Sequence, residues 1–313
     1  MRSNSHLSQQ LKEQLDKIEP GEDYTVTLPK ISSSSGRTYF VKEGTAGEKE
    51  QYAGEAEALK DMEEAAPGLA PHLYAFSTFD DGKPFWICEY KNIGPLNATA
   101  AKVLAKRLAT ELHQMKSTNG FGYPVPTHCG PTRFENGWYE TWENCYSAMY
   151  GTLLSRLRET GKYDSLCSTG DKIVERVLPK LLGPLVIQPV LLHGDLWSGN
   201  AGVDENTGEP VIFDPAAFFG HNEADLAIAR IFGGFPQSFF DTYFKHNPKS
   251  DPQHQFNLRA ELYESFHYLN HAVIFGGGGY AMQAEKKMRG LIEAEGEGKM
   301  GPVEEKEKAP VFD

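Results

Sequence analysis

The chain has 313 residues, 40% hydrophobic, 12% aromatic and 24% charged, a composition that excludes global disorder and is ample for a buried core. Its 43 Asp and Glu against 31 Lys and Arg leave a formal charge of −12, and no basic stripe offsets it, which argues against nucleic acid as a partner. No run approaches the roughly 20 apolar residues of a bilayer span, and the first twenty residues lack the apolar stretch of a signal peptide. The four cysteines, Cys88, Cys129, Cys145 and Cys167, form no C-x-x-C pair. A cytoplasmic protein without membrane partners is expected.

Leu7, Leu11, Leu15 and Ile18 lie at helical spacing among charges, which predicts a short amphipathic helix ended by Pro20-Gly21. Tyr24 to Leu28 and Thr38 to Lys42 are rich in β-formers and flank the turn-forming run Ser32 to Gly36, the pattern of a β-hairpin. Tyr52, Ala56, Leu59 and Met62 recur at helical intervals up to Pro67-Gly68, with Glu55 inside that helix. Taken alone, Lys42 on a strand and Glu55 on the next helix read as solvated surface charges.

The apolar run Phe85 to Tyr90 reads as a strand that enters the loop-forming stretch Lys91 to Pro95, where a lobe boundary is expected. Val103, Leu104, Leu108, Leu112 and Met115 mark a long amphipathic helix from Ala98. Turn-rich sequence follows from Gly120 to Pro131, then a helix opened by Trp138, Tyr139 and Trp142. A third helix carrying Ile173, Val177, Leu178 and Leu181 stops at Gly183-Pro184, before a strand at Leu185 to Ile187. Leu258 to Phe275 is again helical, and the Glu- and Lys-rich sequence toward Asp313 reads as a flexible acidic tail. The expected divisions are residues 1–92, 93–292 and 293–313.

Between two short apolar runs lies His193-Gly194-Asp195-Leu196-Trp197-Ser198-Gly199-Asn200, and 19 positions after Asp195 a second aspartate, Asp214, closes the run Val211-Ile212-Phe213. Phosphoryl transfer needs a base to orient the acceptor hydroxyl and hard oxygen ligands for magnesium. Asp195 suits the base, Asn200 and Asp214 suit Mg²⁺, and Lys42 suits the phosphates of a nucleotide. His193 reads as a scaffold that bonds backbone near Asp214, and Asp225 as a helix cap or loop brace rather than a metal ligand. Trp197 is equally a shield over the acceptor or a surface filler.

On these residues the sequence resembles the fructosamine-3-kinase, or ketosamine kinase, family, a small-molecule branch of the protein-kinase-like superfamily beside aminoglycoside and choline kinases. The resemblance rests on His193 to Asn200, on Phe213-Asp214-Pro215-Ala216 continuing through Gly220 to Ala227, on Phe232-Gly233-Gly234-Phe235 and on Tyr268-Leu269-Asn270-His271. Tyr39 to Lys42 and Gly54 to Glu57 add to it. It implies an α+β, protein-kinase-like two-lobed fold, a small antiparallel β-sheet lobe plus a larger, mostly helical lobe. It also implies ATP- and Mg²⁺-dependent phosphorylation of the 3-hydroxyl of ketosamines, fructosamine or ribulosamine adducts, as a step of protein deglycation.

The resemblance assigns Asp195 as base, Asn200 and Asp214 as Mg²⁺ ligands, and Lys42 as the phosphate lysine with Glu55 as its partner. The connector Glu89, Tyr90 and Lys91 falls at the adenine edge, and Trp197 and His221 are the candidates, by position, for the sugar. Family members cover the phosphates with a glycine-containing hairpin; the equivalent turn here is read as Ser32 to Gly36, and no cysteine precedes Cys88. A kinase of another small hydroxyl compound, aminoglycoside- or choline-like, and a catalytically silent kinase-fold binding protein are the alternatives.

Overall fold

The computed structural model describes residues 2–301. Helix α1 (Arg2–Ile18) precedes strands β1 (Tyr24–Thr27), β2 (Lys30–Ser33) and β3 (Thr38–Glu43); helix α2 (Lys49–Ala65) then leads to β4 (Leu73–Thr78) and β5 (Pro84–Glu89). The five strands form one antiparallel sheet in the order β1-β2-β3-β5-β4. The hairpin expected between Tyr24 and Lys42 is therefore three strands. Strand β2 escapes a sequence reading because Ile31 is its one apolar residue, and it is pairing on both edges that holds it extended.

The larger lobe begins at β6 (Ile93–Pro95) and α3 (Ala98–Thr110), the helix started by Asn97, whose side chain accepts from the amides of Thr99 and Ala100. Four short strands follow a 3₁₀ turn: β7 (Phe121–Tyr123), β8 (Thr127–Cys129), β9 (Thr132–Phe134) and β10 (Gly137–Tyr139). Trp138 and Tyr139 thus lie on a strand, and the helix expected to open on them, α4 (Trp142–Glu159), starts at Trp142 behind its Thr141 cap. Next come α5 (Asp164–Lys172), a π-helical turn over Ile173–Val177, and α6 (Leu178–Leu182). Leu185 to Ile187 is not a strand; Val186 is 98% exposed and the run lacks a pairing partner among the described residues.

Strands β11 (Val190–Leu192), β12 (Ala201–Asp204), β13 (Pro210–Ile212) and β14 (Phe218–Gly220) carry the two aspartate loops between them. Helices α7 (Asn222–Ile231), α8 (Gln237–His246), α9 (Phe256–Phe275) and α10 (Gly278–Gly296) complete the lobe. The tail expected from residue 293 starts inside α10: Glu295 pairs with Lys180 at 2.5 Å and with Arg176, and Met300 is buried. The rest of that tail, 302–313, lies outside the described residues. Among the described residues no helix is long and apolar enough to cross a membrane.

Two of the three buried clusters explain how the site is held. Leu11 and Leu15 of α1 pack on one face of the five-stranded sheet with Tyr24, Ile31, Tyr39, Val41, Phe85 and Ile87. Helix α2 lies on the other face, yet its Ala58, Leu59 and Met62 belong to the large lobe's core together with Leu104, Leu108 and Tyr123. Gly54 permits this seat, since a Cβ there would stand 2.5 Å from the Pro126 carbonyl oxygen. Tyr123 then donates to Asp61 of α2 at 2.6 Å. The helix that bears Glu55 is in this way fixed to the lobe that bears Asp195.

Candidate active site

The loop after β11 is shaped by its backbone. Gly194 has φ +80°, and a Cβ at that position would come within 2.0 Å of the Ala216 carbonyl oxygen, so no side chain fits. Asp225 of α7, wholly buried, accepts from the amides of His193 (2.9 Å) and Gly194 (2.8 Å) and from His113 Nε2 (3.2 Å). Burial opposes its ionisation, but the bonds from His113 and the His193 amide bring its pKa below the ordinary carboxylate value. The expected brace is the role that the geometry gives it.

Behind Asp225 the bonds continue. His113 Nδ1 accepts from the Tyr243 hydroxyl (2.6 Å), whose oxygen in turn accepts from Asn222 (2.9 Å) and Asn247 (3.1 Å). His193 is also fully employed: Nε2 donates to the Phe213 carbonyl at 3.0 Å and Nδ1 accepts from the Asp195 amide at 3.2 Å. Burial lowers its pKa, and a neutral ring with the proton on Nε2 satisfies both contacts. One histidine thereby ties the Asp195 loop to the residue before Asp214.

Asp195 stands on this scaffold with one carboxylate oxygen accepting from Asn200 Nδ2 at 3.0 Å. The same amide nitrogen donates to the Asp195 carbonyl at 2.9 Å. Burial raises the Asp195 pKa to about 6, held back by the Cys129 thiol and the Asn200 amide, so the group is a carboxylate at neutral pH and basic enough to take a proton. With its nitrogen committed, Asn200 keeps its side-chain carbonyl oxygen free among the described residues.

Across the cavity, Lys42 of β3 is bound on two sides. Its ammonium donates to Glu55 at 2.8 and 3.0 Å and to Asp214 at 2.8 Å, and it lies 5.3 Å from the Trp86 ring centroid. Desolvation works against the charge on Lys42, but the two carboxylates drive its pKa upward; burial raises Glu55 to about 7 against the pull of the lysine. Neither is the solvated surface charge that its position alone suggests. Asp214 adopts φ +54°, a left-handed conformation that costs a non-glycine residue about 1–3 kcal/mol and turns its carboxylate into the cavity.

Lys42, Glu55, Asp195, Trp197, Asn200 and Asp214 all border one cavity of about 270 Å³. Trp197 is 40% exposed on its wall. A free carbonyl oxygen on Asn200 and a carboxylate oxygen on Asp214 not used by Lys42 are the hard donors that Mg²⁺ favours, with phosphate and water oxygens to complete its shell. The donor set fits that ion. Glu89, Tyr90 and Lys91 lie at the connector between the lobes, where the Tyr90 amide donates to Thr38 (3.2 Å) and the Lys91 ammonium pairs with Glu89 (2.7 Å). The Lys91 amide makes no hydrogen bond among the described residues.

Two expectations are corrected. His221 is buried, with Nδ1 bonded to the Tyr263 hydroxyl (2.8 Å) and Nε2 to Ser250 (2.9 Å), so it braces α9 and does not line the cavity. The turn Ser32 to Gly36 does not cover the phosphate corner. Register pairs Ser32 with Thr38 and Lys30 with Phe40, which puts the serine turn at the far end of β3 and the Leu28-Pro29 turn beside Lys42. The Val41 amide bonds Pro29 there at 2.8 Å, while Ser34 is spent on Glu22 and the Asp23 amide.

A cleft between a small antiparallel sheet and a helical lobe, with a paired lysine on its roof and an Asp–Asn–Asp set below, defines a kinase-type small-molecule phosphotransferase. The fructosamine kinase family model matches residues 3–294. The chain belongs to that family. It is 34% identical to the chloroplastic protein-ribulosamine 3-kinase of Arabidopsis thaliana over 255 residues, 81% of this chain and 76% of the relative. It is 31% identical to the ketosamine-3-kinase of Mus musculus over 268 residues, 79% and 85% of the two chains. In fold it resembles a Haemophilus somnus structure provisionally classed as a fructosamine-3-kinase (TM-score 0.73, 22% identity, 87% and 90% covered). It also resembles the choline kinase LicA of Streptococcus pneumoniae (TM-score 0.57, 16% identity, 92% and 99% covered).

Proposed function

We propose that this protein transfers the γ-phosphoryl group of ATP to the 3-hydroxyl of a ketosamine, the fructosamine or ribulosamine formed when a sugar rearranges on an amine. The observation that carries the reading is the buried Asp195 carboxylate, held by Asn200 and facing the Lys42–Glu55–Asp214 cluster across one cavity. The names of the relatives supply the acceptor.

Asp195 accepts a hydrogen bond from the acceptor hydroxyl, aligns it with the phosphoryl group and takes its proton late, as the bond to phosphorus forms. Lys42, oriented by Glu55, neutralises the nucleotide's phosphates. Asn200 and Asp214 would hold Mg²⁺, and the ion would supply positive charge to offset that building on the transferring group. The connector at Glu89, Tyr90 and Lys91 offers the base its backbone groups, the free Lys91 amide among them. Trp197 covers the acceptor side.

A phosphate on C3 leaves far more readily than a hydroxyl, so the adduct decomposes and frees the amine, which makes the activity one of protein repair. We place it in the cytoplasm, where the four buried, unpaired cysteines remain thiols. The test is direct. Incubation with Mg²⁺-ATP and fructosyl- or ribulosyl-lysine should yield ADP and a 3-phosphorylated product. Turnover of neither sugar above an Asp195→Asn control, with turnover of an aminoglycoside or choline instead, would overturn the acceptor assignment.

A further inference from the structure

Two polar side chains on the wall of the catalytic cavity have no task in the chemistry above. Gln51 projects from α2, one turn before Glu55, and His128 from β8, beside Gly130. Gln51 is half-buried and enters no hydrogen bond among the described residues. His128 Nδ1 is enclosed, out of a ligand's reach, while its Nε2 is not enclosed and lies 3.9 Å from Glu50, beyond hydrogen-bond reach, so Nε2 is the nitrogen open to a partner. Burial lowers the pKa of this histidine, so the ring is neutral, with one N–H to give and one lone pair to receive. At a cavity wall, accessible polar groups without a protein partner, here the Gln51 amide and His128 Nε2, are commonly satisfied by a ligand.

The two residues are held at a fixed separation. Glu50, the neighbour of Gln51, is gripped by Arg133 through Nε and, at 3.0 Å, through Nη2. Arg133 is the cross-strand partner of His128 in the β8–β9 hairpin, and its carbonyl is tied to Arg156 at 3.1 Å. The close approach of Gly54 to Pro126 seats the same helix against the same hairpin. The close backbone contact thus sets the spacing of the α2 residue and the hairpin residue, with a partly exposed ion pair beside it, and a fixed spacing is what a specificity site requires.

The remaining charged and amide side chains of the cavity have roles in the reading above. Lys42, Glu55, Asn200 and Asp214 serve the nucleotide and its ion, and Asp195 serves the hydroxyl that is phosphorylated. A ketosamine carries further hydroxyls, and each loses its water when it enters. We propose that Gln51 and His128 bind the acceptor hydroxyls flanking the one that receives the phosphoryl group, and so set which sugar is accepted. This assignment rests on the ketosamine reading.

Gln51→Ala and His128→Phe, the second chosen to keep the ring volume, are tested beside wild type with fructosyl-lysine and ribulosyl-lysine. Each should raise the acceptor KM roughly tenfold, the loss of one or two neutral hydrogen bonds, and change the ratio between the two sugars. The ATP KM should stay within about twofold, and His128→Gln should recover part of the loss. Wild-type turnover with acceptor KM values unchanged in both variants, or with the ATP KM rising in step, overturns the assignment and leaves the ketosamine reading standing. A wild-type enzyme that turns over neither sugar overturns the reading, and the assignment with it.

Discussion

The two sides of the cleft are held by different physics. On the loop side, Asp225, His113, Tyr243 and the amides of His193 and Gly194 form a buried chain in which each donor has an acceptor. At the roof, the Lys42 ammonium stands between Glu55 and, from below, Asp214, with Lys42 29% and Asp214 52% exposed at the side chain. The first arrangement holds the Asp195 loop by bonds internal to the protein. The second leaves two carboxylates on one ammonium in a partly exposed corner, so the Lys42 corner is adjustable where the Asp195 loop is not. A satisfied hydrogen-bond network resists salt and ligand alike, whereas a partly exposed charge cluster responds to both.

The largest expected effect tests whether the loop side exists to place a base. Asp195→Asn preserves the contact with Asn200 and should lower kcat by about 10²–10⁴-fold, the usual worth of a positioned general base, with little change in the ATP KM. A loss under about tenfold would mean that positioning by the loop, not proton acceptance, carries the reaction.

Removal of the brace itself comes next. Asp225→Ala strands two backbone amides and His113 in the interior, so it should destabilise the protein by about 3–5 kcal/mol, read by chemical denaturation. Asp225→Asn, which keeps an acceptor oxygen, should lose less. Equal and small losses in both would show that the loop stands by its own turn geometry.

A pH dependence separates the sides further. The Asp195 pKa is raised from 3.8 to about 6 on folding, so the folded protein binds this proton more tightly than the unfolded chain. Its contribution is fully present below pH ~4 and is lost as pH rises through about 6. Asp195→Asn lacks that loss. Relative to wild type it should gain stability between pH 4 and 7, up to about 2–3 kcal/mol by the linkage relation, in urea melts at stepped pH. A flat difference across that range would show that Asp195 is solvated in the folded state.

Much of this site was legible in the sequence because its chemistry is local. Asp195 and Asn200 lie five residues apart on one loop, and Asp214 closes the next strand, so adjacency in the chain becomes adjacency in space. Lys42 and Glu55 were legible as a pair only through resemblance, since 13 residues and a change from strand to helix separate them. What escaped depends on pairing and packing. Which turn borders the phosphate corner is a matter of register, and β2 has one apolar residue to announce it. His221 faces inward because Tyr263, 42 residues on, lies beneath it. The hairpin that brings His128 toward Gln51 is built of three-residue strands, too short for any periodicity to register.

The smallest expected effect falls on the roof, and there the contrast with Asp225 is sharpest. Lys42→Met removes one member of a buried ion pair, a change that ordinarily costs about 3–5 kcal/mol because the partner is left charged and alone. Here the two partners have other courses. Glu55 already sits at about 7 beside the lysine, so without it the carboxyl takes up a proton near neutral pH, and Asp214, 52% exposed at the side chain, keeps its charge in water. The methionine chain also keeps its packing near Tyr52 and Trp86, which the ammonium now approaches at 5.7 and 5.3 Å. Stability at pH 7 should therefore change by no more than about 1 kcal/mol, while the loss appears in ATP binding as a KM at least roughly tenfold higher. A destabilisation matching that of Asp225→Ala would show that Lys42 braces the roof as Asp225 braces the loop, and the two sides would differ in charge alone.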